Sequence, residues 1–104
     1  MAHFHAQNVV VTPELVQALQ AAHKVADDVC AMLVTRHEGG DWGEIHANQS
    51  VVNDVAVTLG KGTAKSVYEV GGVGEVWVMT SLNAARGFAP KTYVLLARQS
   101  FDPN

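Results

Sequence analysis

A chain of 104 residues has room for one domain and one core, since folds of this size bury roughly 60–70% of their unfolded surface. Its 48% hydrophobic and 16% charged residues are ordinary for a globular protein and exclude a wholly disordered chain. A net charge of −3, from seven scattered basic and ten acidic residues, excludes both a basic nucleic-acid footprint and a densely acidic nucleic-acid mimic.

In chain order, residues 1–7 are expected to be flexible, and "NVVV" (8–11) is short and β-branched, so it reads as an opening strand or an extended arm. "TPELVQALQAAH" predicts a helix: Thr12 caps it, Pro13 suits the first position where its missing N–H costs nothing, and Glu14 favours the positive helix end. Leu15, Leu19 and Ala22 form its apolar stripe. A second pattern with Val25, Val29, Met32 and Leu33 at helical spacing runs to about Arg36 and stops at Gly39-Gly40. The two patterns also fit one bent helix.

Cys30, the only cysteine, falls in this second pattern within "VADDVCAMLV" and reads as a buried inert thiol; no internal disulfide is possible. "ANQSVVNDVAVTLG" places Val52, Val55, Ala56 and Leu59 on one face of a third helix that Gly60 ends. "AKSVYEV" and "GEVWVMTSL" are strands joined by the hairpin connection Gly71-Gly72-Val73, and "KTYVLLA" (91–97) is the next strand after the loop "NAARGFAP". In the middle strand Val76 and Val78 face one way and Trp77 and Met79 the other. The tail 98–104 is expected to be flexible. The fold expected is a single α+β domain, two or three N-terminal helices packed on a three- or four-stranded antiparallel sheet.

The stretch "RHEGGDWGEIH" (36–46) concentrates the chemistry-bearing residues. As structure, it reads as a stiff turn in which Asp41 caps the following residues, the glycines take positive φ and Trp42 plugs the edge of the core. As function, it reads as a docking surface anchored by Trp42 and Arg36, because Trp and Arg dominate interface hot spots. As a reaction centre it offers His37, which titrates near neutrality, with Arg36, Tyr68, Thr80 or Arg86 in support, as in a small metal-independent ribonuclease. His37, Asp41, Glu44 and His46 are donors without a recognised metal spacing, and His3 with His5 suit adventitious metal only, so no metal and no cofactor are expected. "GKGTAKS" misses the phosphate-loop pattern, and Ser66 and Ser81 lack a nucleophile elbow.

The segments "VVVTPELVQAL", "RHEGGDWGE", "VNDVAVTLGKGTAKSVYEV", "EVWVMTS" and "TYVLLA", covering residues 8 to about 97, resemble small uncharacterised proteins of bacterial plasmids and integrative elements that share an R-H-x-x-G-D-W-G motif. The chain departs from that pattern where an acidic T-E-A-D-R-S-type segment is replaced by "TSLNAARGFAPKT", with Arg86 in the arginine's place, and where lysines replace the arginine before the first hairpin strand. The resemblance carries no established activity. It implies an accessory protein of a mobile element, for transfer, maintenance or countering host defence.

Together these readings favour a non-enzymatic module of the cytoplasm that binds another protein through Arg36, His37, Asp41 and Trp42, with Arg86 and Phe88 as a second anchor pair. The alternatives are the ribonuclease-like enzyme using His37 and a homodimer that completes an apolar sheet face. No membrane partner is expected, since no run approaches the ~20 apolar residues of a span and the N-terminus lacks the features of a signal peptide.

Overall fold

The computed structural model describes Phe4, Ala6 and residues 8–83 and 91–97. Strand β1 (Val9–Val11) leads into helices α1 (Pro13–Ala21), α2 (Ala26–Glu38) and α3 (Ala47–Leu59), followed by strands β2 (Lys61–Val70), β3 (Gly74–Asn83) and β4 (Lys91–Leu96). The fold is α+β with the helices ahead of most of the sheet. Residues 1–3, 5, 7, 84–90 and 98–104, with His3, His5, Arg86 and Phe88 among them, lie outside the described residues.

Local chemistry sets the helix ends. Thr12 accepts from the Leu15 N–H through its side chain, with Pro13 behind it and Glu14 in the first turn. The first two helical patterns are separate helices, because α1 closes in a Schellman motif: the His23 N–H bonds Gln20 O and the Lys24 N–H bonds Leu19 O. His23 takes the left-handed position at φ 59°. The same motif ends α2, where the Gly40 N–H bonds His37 O and the Asp41 N–H bonds Arg36 O, with Gly40 at φ 83°.

The sheet order is β1-β4-β3-β2. β2, β3 and β4 form an antiparallel meander, with Val67 opposite Trp77 and Trp77 opposite Leu95. The expected all-antiparallel sheet requires one correction: β1 pairs parallel with β4, Val11 beside Val94, so the sheet is mixed. The physical reason is that α1 starts at once after β1, so the chain crosses into the helical layer instead of turning back along the sheet edge.

The inner face carries Ser66 and Tyr68 of β2, Val76, Val78 and Thr80 of β3, and Thr92, Val94 and Leu96 of β4, all essentially sealed from solvent. Leu15 and Leu19 of α1 and Cys30 and Leu33 of α2 pack on its centre. Burying each leucine contributes about 2 kcal/mol. A smaller cluster of Trp42, Ala56, Ala64 and Leu82 lies at the β2 side. The opposite face holds Trp77, Met79 and Tyr93, with Lys65 Nζ 3.4 Å from the Trp77 ring centre. Among the described residues no helix is long and apolar enough to cross a membrane.

Helix α3 is turned the other way from the sequence expectation. Asn53 and Ala56 face inward, whereas Val51, Val52, Val55 and Leu59 are 62%, 53%, 49% and 59% exposed. Of the four residues expected on its buried face, only Ala56 is there.

Candidate functional site

The α2–α3 loop is held to the sheet edge by its backbone. The Val67 N–H bonds Trp42 O at 3.0 Å, and the Glu44 N–H bonds Val67 O. Gly43 lies so close to β2 that an added Cβ would fall 2.0 Å from Val67 O and 2.7 Å from Tyr68 Cδ1, and its φ of 73° favours glycine independently. Asp41 ties three neighbours together. Its Oδ1 accepts from the Gly43 N–H, its Oδ2 from Arg36 Nε at 2.7 Å, and its carbonyl from the Tyr68 hydroxyl. The Arg36 guanidinium lies 4.5 Å over the Tyr68 ring. The bond to Arg36 holds the Asp41 carboxyl below its usual range, while burial pushes the Tyr68 hydroxyl up to about 12.

His37 faces inward from the last turn of α2 and has no exposed surface. Its Nδ1 meets Ser66 Oγ at 2.5 Å, its Nε2 meets Thr80 Oγ1 at 2.9 Å, and Thr80 Oγ1 continues to Thr92 Oγ1 at 2.8 Å. A neutral imidazole has one donor and one acceptor, and the rotatable hydroxyls satisfy either tautomer. Phe4 and Trp42 pack edge-to-face with it, 5.1 Å and 5.4 Å between centroids. Burial among these groups pulls His37 down to about 4, so it is neutral at pH 7. A general base must reach the proton it takes. This imidazole, enclosed and with both nitrogens engaged, is a structural crosslink between α2 and the sheet.

Trp42 is 5% exposed, and its Nε1 donates to Asp54 Oδ1 of α3 at 3.2 Å. From the same helix Asn53, fully buried, brackets β2: its Oδ1 accepts from the Lys65 N–H at 3.0 Å and its Nδ2 donates to Lys65 O at 2.7 Å. Loop and helix thus satisfy the outward backbone groups of Lys65 and Val67 on an edge strand. Such groups, left free, invite pairing with another chain. The inward place goes to Asn53 for this reason, and the large apolar side chains of α3 turn outward.

The structure therefore separates the expected site residues. Arg36 and Asp41 are together on the surface, with side chains 41% and 52% exposed. His37 and Trp42, expected on the same contact surface, are inside, because the α2 Schellman turn aims His37 at the sheet and Trp42 fills the gap between the loop and α3. Arg86 and Phe88 fall outside the described residues. Among the described residues no three His, Cys, Asp or Glu side chains form a group able to hold a metal ion. Sequence reasoning missed Ser66, Thr92 and Asn53 as members of the buried polar system. The strand alternation that turns Val76 and Val78 inward also turns Thr80 inward, a signal available in advance. Comparisons with family models, curated proteins and solved structures give no match.

Proposed function

We propose that this chain is a non-enzymatic binding module that docks a protein through the solvent face of α3. The observation that carries this reading is the inverted helix: four large apolar side chains, Val51, Val52, Val55 and Leu59, lie in solvent about half exposed or more, while a polar residue takes the buried position. Isolated surface hydrophobes need no explanation, but a contiguous stripe marks an interaction site. The enclosed His37 argues against acid–base catalysis at the polar loop. That loop serves instead as the mount, anchoring α3 through the Trp42–Asp54 bond. The resemblance to plasmid-borne proteins supplies the setting, an accessory protein of a mobile element.

The test is a photo-crosslinking amino acid placed at Val55 and, as a control, at exposed Glu14, in cells expressing the chain. A discrete covalent adduct at position 55 that is absent at position 14 is expected. Equal, diffuse labelling at both positions refutes the docking face.

A further inference from the structure

Resting on the reading of α3 as a docking face, we infer that its occupant is a second copy of this chain, packed α3 against α3 about a twofold axis through Val55. Two properties of the stripe lead there. The first is its symmetry. At about 100° per residue, Val51, Val55, Leu59 and Val52 fall within about 100° of arc, with Asn53 on the far side of the helix and Ala56 about 90° from the centre of the arc. Val55 sits near the centre of that arc and midway between Val51 and Leu59 along about 12 Å of helix. An antiparallel α3 pair crossing at Val55 brings Val55 onto Val55 of the second copy, and Val51 and Val52 onto its Leu59. An isologous contact demands this self-matching.

The second property is charge. The helix "ANQSVVNDVAVTL" carries one charged residue, Asp54, at the rim of the stripe with its carboxylate held by Trp42. A face without charge meets its own image with no like-charge repulsion, and it offers a strongly charged partner nothing to pair with. Area fixes the strength. Stripes on the order of 400 Å² on each copy fall short of the ~1,200 Å² total of stable complexes, so the exposed flank residues Ala47, Asn48 and Thr58 must join the contact. The dimer is therefore concentration-dependent.

Light scattering on the purified full chain, across about a thousandfold dilution, is the measurement. The mass is expected to rise from 11.1 kDa towards twice that value, and Val55→Glu, at an exposed position, is expected to stay monomeric with an unchanged circular dichroism spectrum. In oxidising buffer Val55→Cys is expected to form a covalent dimer. Val51→Cys and Leu59→Cys are expected to crosslink when mixed and to fail to do so alone, since the native Cys30 is buried. A wild type that remains at 11.1 kDa throughout, or a Val55→Glu variant that still dimerises, overturns the inference. A monomer whose position 55 nevertheless yields an adduct of another mass in cells removes the second copy and leaves the docking face. A monomer without an adduct removes both.

Discussion

Acidification from about pH 7.5 to about pH 4 should unlock the His37 crosslink, and the size of the effect follows from its burial. In the unfolded chain the imidazole titrates near its ordinary 6.5, while in the fold it is held down to about 4. Protons therefore bind the unfolded chain preferentially between these values. The stabilisation is fully present above about pH 6.5, declines by about 1.4 kcal/mol per pH unit below it, and stops declining near pH 4. The total is about 3 kcal/mol, against the 5–15 kcal/mol of a typical domain. Urea denaturation of wild type and His37→Gln at a series of pH values isolates the effect, since glutamine does not titrate and the other groups are shared. The gap between the two curves should narrow on acidification. Parallel curves would refute the reasoning. Should the variant fail to fold, the ring resonances of His37 in the wild type report the same quantity, and a titration near 6.5 would be equally fatal.

Other substitutions probe the loop and the edge. Gly43→Ala meets a positive φ and the Val67 carbonyl together, so it should cost at least about 3 kcal/mol and lower Tm by more than about 12 °C, whereas Gly39→Ala, which meets only ordinary contacts 3.6 and 3.7 Å away, should leave Tm nearly unchanged. Asn53→Ala strips Lys65 of both backbone partners and should cost about 2–3 kcal/mol by denaturant titration; Asn53→Asp, which still accepts from the Lys65 N–H but cannot donate to its carbonyl, should lose at least part of this. His23→Gly relieves a left-handed residue at the end of α1 and should raise stability by about 0.5 kcal/mol in the same assay. Equal effects of the two glycine substitutions would falsify the close approach of the loop to β2.

What the sequence discloses here follows the range over which each interaction acts. Thr12, Pro13 and Glu14 announce the start of α1 because a cap involves neighbours three residues apart, and Gly39-Gly40 announces the end of α2 for the same reason. His37 is different: its partners Ser66 and Thr80 lie 29 and 43 residues on, so nothing near "RHEGGDWGEIH" distinguishes a crosslinking imidazole from a catalytic one. Parallel pairing of β1 with β4 is equally remote, since a three-residue strand has too few positions to declare its partner.

The helix α3 shows the deeper ambiguity. Apolar periodicity places Val52, Val55, Ala56 and Leu59 on one face, but it is silent on whether core or partner covers that face and on which of its edges turns inward. The deciding residue is Asn53, whose amide matches a strand's N–H and C=O so well that its inward position gains two hydrogen bonds to Lys65. With the helix rotated to make them, the apolar stripe must leave the core. Sealing the edge of β2 and exposing the apolar stripe are therefore one structural event. An Asn53 variant that lets α3 roll its valines inward should lose the edge seal together with any self-association through the stripe.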